Sequence, residues 1–398
     1  MLHPDLLDSA RAISDRIVSL RRAIHAEPEL GLETPKTLAK VRAALANLPL
    51  EWREGGSTTG AVATLKGAKP GRRVLLRGDM DALPMDEHTG LDFASTTPGR
   101  MHSCGHDTHT AMLAGAAELL CARRDELAGE VQFMFQPGEE GFHGAKHMLE
   151  DGLIAPMPEA AFALHIMPNS RHGIVAGRAG ALMASADQLD IVVEGRGGHA
   201  SMPHDTLDPV PAACAIVTAL QALVTRRFNA ADAVVITVTM IEAGTAHNVI
   251  PDRVALRGTI RTLTPRNRDT AHRLIAETAQ GVAAGYGVEA QVTVTPGFPV
   301  TMCDPRAVAL GQEVAGGLFG EQDWVTLPAP IMGAEDFSYV LEQVPGAMFF
   351  LGVAKEGDDW RSACAIHSPR MFVDEAALPR GSAVLAGCAL RFLERGFE

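Results

Sequence analysis

Apolar residues recur along this chain at two spacings, and the changes between them outline a fold. Leu6, Ile13, Ile17, Leu20 and Ile24 return at helical intervals, which predicts an opening amphipathic helix ending near the turn His25-Ala-Glu-Pro-Glu-Leu30. A second helix is predicted over residues 37–48. Residues 61–65, 73–76 and 131–135 form short apolar runs bounded by Gly, Pro or charge, as buried strands do. A helical stretch over residues 108–123 separates the last two. This alternation predicts an α/β domain with a mixed, mostly parallel sheet flanked by helices.

From Gln188 the pattern changes to strand (188–194), helix (209–226), strand (234–241), strand (253–261), helix (267–284) and strand (290–295). That β-α-β-β-α-β order is the ferredoxin-like arrangement, which folds as its own two-layer α+β unit. Short apolar runs then resume over residues 325–373, broken by loops rich in His, Asp and Glu, and an apolar helix closes the chain over residues 381–394. The expected organisation is one discontinuous domain over residues 1–185 and 298–398, with an inserted domain over residues 186–297.

Composition agrees with this division. A chain of 398 residues exceeds what a single core usually supports. With 46% hydrophobic and 21% charged residues it reads as an ordinary globular protein. A formal net charge of -13 and no clustered Lys/Arg stripe argue against nucleic acid as a partner. Asp5, Asp8 and Asp15 interrupt the N-terminal run, so it lacks the apolar core of a secretory signal. No segment reads as a bilayer span. The expectation is a cytoplasmic protein without a membrane partner. Six cysteines lie scattered, without the dense spacing of a disulfide framework. Cys104 alone sits in a polar segment among histidines.

That segment, Met101-His-Ser-Cys-Gly-His-Asp-Thr-His109, precedes a predicted helix. Cys104 and His106 are two apart, and the intervening Gly105 permits a tight backbone that aims both side chains at one point. A thiolate with an imidazole suits a borderline-soft divalent ion such as zinc. A polar helix entry with Asp107 near the N-terminus is the alternative. Gln136-Pro-Gly-Glu-Glu-Gly141 follows the run 131–135, where open α/β sheets place their sites. Adjacent glutamates point in different directions, so one can face a metal and the other a water; an acidic turn is the plainer reading. The run 160–164 ends in His165, and the loop Ala365-Ile-His-Ser-Pro369 supplies His367. One Cys, one Glu and three His in loops or at strand ends make a five-residue set for two ions. Asp79 and Asp81 follow the run 73–76. Asp81 either receives the free ring N–H of a ligating histidine or, with Asp79, caps a turn.

These residues closely resemble the M20 metallopeptidase clan, and within it the hippurate hydrolase and indole-acetyl-amino-acid hydrolase branch. The landmarks run nearly the whole chain: Arg22-Ala-Ile-His-Ala-Glu-Pro-Glu-Leu30, Gly78-Asp-Met-Asp-Ala-Leu-Pro84, Cys104-Gly-His-Asp-Thr-His109, Gln136-Pro-Gly-Glu-Glu140, Gly197-Gly-His-Ala-Ser201, Asn248-Val-Ile-Pro251, Gly333-Ala-Glu-Asp-Phe-Ser338 and His367-Ser-Pro369. The resemblance implies that Cys104, His106, Glu140, His165 and His367 ligate two divalent ions (Zn, Mn, Ni or Co), with Glu139 as general base. Asp81, as the candidate partner of a ligating histidine, is counted with Glu139 and His199 among the candidate catalytic residues. Other branches of the clan place His-x-Asp where this chain reads Asp79-Met-Asp81, which assigns it to the cysteine-containing branch. The resemblance further implies an inserted ferredoxin-like lid that carries substrate contacts, mapping to His199 and Asn248, with His199 also stabilising the oxyanion. It also implies a homodimer or higher homo-oligomer. The implied reaction is hydrolysis of N-acyl amino acids. A dipeptidase or aminopeptidase of the same clan and a non-catalytic metal-binding peptide sensor are the rivals.

Overall fold

The structure, a computed structural model, describes residues 5–398. It divides into two compact units: the first runs to Leu182 and resumes over Met302–Ala329 and Asp336–Glu398, and the second comprises Met183–Thr301 with Pro330–Glu335. The second unit thus extends beyond the expected 186–297 and takes in a later strip of chain.

The first unit is built on an eight-stranded sheet in the order Leu50–Glu54, Ala61–Lys66, Ala128–Gln136, Lys69–Asp79, Ala160–Met167, Gly346–Gly352, Val175–Gly177 and Trp324–Thr326. The four strands from Ala128–Gln136 to Gly346–Gly352 are mutually parallel. Antiparallel neighbours flank them, Ala61–Lys66 on one side and Val175–Gly177 on the other. Val74, Leu75, Leu76, Phe133, Met134, Phe135 and Phe162 are fully buried, as expected where helices cover both faces of a parallel sheet. His106–Cys121 and the C-terminal helix Leu378–Arg395 pack together as part of that cover. Parallel direction brings the C-terminal ends of Ala128–Gln136, Lys69–Asp79 and Ala160–Met167 to one edge, where ligand sites of open α/β sheets lie.

Local chemistry refines the predicted elements. The opening helix is two helices, Leu6–Ala12 and Ser14–His25, because Ile13 leaves the helical region at φ −104 and ψ 8. The next helix is Pro35–Ala44: Pro stands at its start, and the buried Glu29 carboxylate accepts the N–H groups of Lys36 and Thr37 at 3.2 and 2.8 Å.

In the second unit, strands Ala186–Glu194, Val234–Ala243, Arg253–Thr262 and Glu289–Phe298 alternate with helices Pro209–Arg227 and Pro265–Gly285 in the β-α-β-β-α-β order. The antiparallel sheet runs Val234–Ala243, Arg253–Thr262, Ala186–Glu194, Glu289–Phe298, with the first and last strands of the motif adjacent, as in ferredoxin-like folds. Against the sequence reading, Pro209–Arg227 is long and apolar enough by composition to cross a bilayer, with mean hydropathy 1.3. Its Ala212, Ala213, Ile216 and Leu220 instead form part of this unit's core with Leu189, Ile191 and Leu274.

Asp187 ties this unit together. Its buried carboxylate accepts Arg268 Nη2 at 2.6 Å, His272 Nε2 at 2.8 Å and the Gly297 N–H at 2.9 Å, joining the first strand, the second helix and the last strand. Asp187→Ala removes the acceptor shared by Arg268, His272 and the Gly297 N–H and is expected to lower stability by about 1–3 kcal/mol. Denaturant unfolding measures this, and an unchanged midpoint contradicts it.

Candidate metal centre

The edge where the three parallel strands end is crowded with electron-rich side chains. Asp79 closes one strand and Asp81 follows it; Glu139 and Glu140 follow the second; His165 lies in the third. Cys104 and His106 enter from the loop that opens the helix His106–Cys121, through Gly105 at φ 87. Asp79, Asp81, Cys104, His106, Glu139 and His165 are all buried. His367 arrives from the late loop with its side chain 51% exposed, so it forms the solvent side of the cluster. Its φ of 64 is left-handed for a residue with a Cβ, and its N–H donates to Ser103 O at 2.7 Å.

The five expected ligands come together in overlapping groups. Cys104, His106 and His165 form one, and Cys104, Glu140 and His367 another, with ligand atoms within 4.8 Å of each other. Cys104 Sγ lies 3.3 Å from His165 Nε2, and His367 Nε2 lies 3.3 Å from Glu140 Oε1. Glu139 joins a third group with His106 and Glu140. Its Oε2 is 3.9 Å from His106 Nε2.

Hydrogen bonds set which nitrogens are free. His106 Nδ1 donates to the carbonyl of Asp81 at 2.9 Å, and His165 Nδ1 donates to the carbonyl of Ile166 at 2.6 Å. Each ring therefore turns its Nε2 toward the cluster. His106 Nε2 is buried with no hydrogen-bond partner among the described residues, and Glu140 Oε1 has His367 Nε2 at 3.3 Å. A buried polar atom left without a partner costs about 1–3 kcal/mol. Thiolate, imidazole and carboxylate donors with open lone pairs, all aimed at one place, fit a borderline divalent cation.

Electrostatics point the same way. Burial raises the Cys104 thiol to about 12, so it becomes a thiolate only beside positive charge. Burial disfavours charge on His106, yet Asp79 and Cys104 outweigh it and raise its pKa well above the usual imidazole value. Burial together with neighbouring His109 pushes His165 well below that value. Burial would raise Asp79, but Arg77, His106 and His109 hold it well below the usual carboxylate range.

A second layer of polar residues underlies the cluster. Two readings were open for Asp81, acceptor of a ligand's ring N–H or cap of a turn; its backbone carbonyl takes the His106 ring N–H, while its carboxylate accepts the N–H groups of Glu139 and Glu140 at 2.9 and 3.0 Å. Asp81 thereby fixes the pair of glutamates. Arg77 donates to Asp79 at 2.6 Å and to Asp336 at 3.0 Å, and Gln136 donates to Asp336 at 2.7 Å. The sequence reading gave Arg77, Gln136, His109 and Asp336 no role. The signal was present in polar residues at the ends of otherwise apolar strands. Asp107, near the helix start as one reading had it, is buried and held by Arg21 at 2.7 Å and His25 at 2.8 Å. In the second unit, His199 pairs with Val249, and the N–H of Ala200 donates to Asn248 O at 3.0 Å, so His199 and Asn248 share one corner.

The model of peptidase family M20/M25/M40 matches residues 75–391, and the chain belongs to that family. It is 37% identical to thermostable carboxypeptidase 1 of Saccharolobus solfataricus, over 97% of this chain and 98% of that one. It is also 37% identical to the N-acetylcysteine deacetylase of Bacillus subtilis, over 96% and 98%. Among solved structures, a Bacillus subtilis protein described as a dinuclear metal binding peptidase from the M20 family superposes with a TM-score of 0.84 at 34% identity, covering 96% of this chain and 99% of that one. The chain is accordingly a hydrolase of amide bonds.

Gly105 is the local device that aims Cys104 and His106. A Cβ there would lie 2.5 Å from Ile166 Cγ1, in a left-handed conformation that costs other residues about 1–2 kcal/mol. Gly105→Ala is therefore expected to destabilise the metal-free protein by at least that amount in denaturant unfolding. Full retention of stability would mean the turn is not as described.

Proposed function

We propose that this chain hydrolyses the amide bond of N-acyl-L-amino acids, releasing a carboxylic acid and a free amino acid, with two divalent metal ions per subunit. The observation that carries the proposal is the convergence of Cys104, His106, Glu140, His165 and His367 around free lone pairs, with the Glu139 carboxylate beside them. The relatives' names support this substrate class. A carboxypeptidase and an N-acetylcysteine deacetylase, by their names, both act on an amide whose nitrogen belongs to an amino acid with a free α-carboxylate.

Cys104, His106, Glu140, His165 and His367 would hold the ions. When bound, these supply Lewis acidity that polarises the amide carbonyl and lowers the pKa of water. Glu139 accepts the proton of the attacking water and delivers it to the leaving amine nitrogen as the C–N bond breaks. Asp81 keeps Glu139 in position by binding its backbone N–H. Burial of Glu139 excludes bulk water from that exchange. In the second unit, His199 is assigned to the developing oxyanion and Asn248 to the substrate α-carboxylate. The proposal also includes assembly as a homodimer or higher homo-oligomer in the cytoplasm.

Two measurements test this. After chelation and reloading with zinc, manganese, cobalt or nickel, the protein is assayed on N-benzoyl-glycine, N-acetyl amino acids and dipeptides. Turnover of the acylated amino acids above dipeptides is expected; preference for a free amine marks a dipeptidase. Glu139→Gln is expected to retain both ions while turnover falls by about 10²- to 10⁴-fold. Near-normal hydrolysis by that variant removes Glu139 from the mechanism.

A further inference from the structure

Beneath the proposed ligands, His109 has both ring nitrogens engaged. Its Nδ1 lies 2.7 Å from Asp79 Oδ1, and the backbone N–H of Ile166 donates to its Nε2 at 2.9 Å. Because Nε2 accepts, the ring proton sits on Nδ1 and is donated to Asp79. Asp79 is anchored in turn by Arg77 Nη1 at 2.6 Å.

Strand geometry explains the unusual bond to Ile166. Pairing between Ala160–Met167 and Lys69–Asp79 ends where Arg77 faces Ala163. Past that position the neighbouring strand no longer supplies ladder partners, and a buried amide needs another acceptor. The His109 imidazole takes the missing strand's place. It can approach closely because Gly78 carries no side chain: a Cβ there would sit 2.8 Å from the His109 carbonyl oxygen.

Ile166 then passes the constraint on. Its carbonyl accepts His165 Nδ1–H at 2.6 Å, which leaves His165 Nε2 facing Cys104 Sγ at 3.3 Å. One residue is gripped at its N–H by His109 and grips the His165 ring through its C=O.

We propose that His109 is a positioning residue that fixes the orientation and tautomer of His165 through Ile166, and so pre-forms the thiolate–imidazole half of the metal centre. This rests on the metal-dependent reading above. Asp79, His106 and His109 also lie within ligand spacing of one another. A His109 ring that donates from Nδ1 and is filled at Nε2 nevertheless has no lone pair left for an ion.

Two substitutions separate the two bonds. The side-chain amide of His109→Gln reaches the Nε2 position and can accept the Ile166 N–H while abandoning Asp79. That of His109→Asn reaches the Nδ1 position and can donate to Asp79 while abandoning Ile166. In metal-free protein, hydrogen exchange at the Ile166 amide and the ring ¹⁵N shifts of His109 and His165 are read by NMR. Zinc binding is then titrated.

Wild type is expected to show the Nδ1–H form at both histidines and a protected Ile166 amide. His109→Asn is expected to lose that protection and to bind one zinc about 10- to 100-fold more weakly. His109→Gln is expected to keep the protection and bind zinc close to wild type. An Nε2–H form of His109 in wild type overturns the proposal. So does an Asn variant that binds zinc better than the Gln variant. If both variants lose one ion while Ile166 stays protected, His109 is a ligand and the proposal fails. If wild type binds no zinc, the metal-dependent reading falls, and exchange at Ile166 still decides whether His109 holds the strand.

Discussion

Negative charge and open lone pairs concentrated in a buried place are the constraint on which this structure depends. Asp79, Asp81, Glu139 and Cys104 lie buried at one sheet edge, with Glu140 beside them. At an effective dielectric of about 20, like charges about 4 Å apart repel by about 4 kcal/mol. Such a cluster persists only where positive charge and oriented N–H groups answer it. Arg77 answers Asp79 from below, and the N–H groups of Glu139 and Glu140 answer Asp81. Nothing among the described residues hydrogen-bonds His106 Nε2, and Glu140 Oε1 meets only the half-exposed His367 ring. The fold thus builds a place for cations and leaves their part of the charge balance open.

The parallel sheet makes this possible. Strand ends are where backbone pairing stops, so side chains must replace ladder partners, and those side chains are polar by necessity. His109 accepting the Ile166 N–H is one replacement, and Asp81 binding two consecutive N–H groups is another. The groups that complete the sheet are the same groups that orient the proposed ligands. Structure and chemistry share one set of hydrogen bonds here, which is why a polar second layer sits under an apolar sheet.

Much of this was legible in the sequence, for identifiable reasons. The apolar runs before Asp79, before Gln136 and before His165 marked buried parallel strands, and residues just past such strands converge by topology. The insertion was legible because its β-α-β-β-α-β order differs from its flanks. Its edges were not, because the later strip Pro330–Glu335 belongs to it only through contacts distant in sequence. Periodicity did not reveal the break at Ile13, since the same apolar stripe continues across it. Nor did it show that the helix Pro209–Arg227, apolar enough for a bilayer, contributes its buried face to a core. Roles within the site were the least legible. A carboxylate such as Asp81 can bind a ring proton or two backbone N–H groups, and only geometry decides which.

The central claim is that the strand ends form a two-ion centre with Glu139 outside the coordination sphere, assigned to water. Anomalous diffraction at the metal edge, on crystals of the metal-loaded protein, tests it most directly. The account predicts two peaks per chain, bonded between them to Cys104, His106, Glu140, His165 and His367, with Glu139 and His109 outside the coordination sphere. Peaks elsewhere, or an ion bonded to Glu139 or His109 in place of these residues, would contradict it.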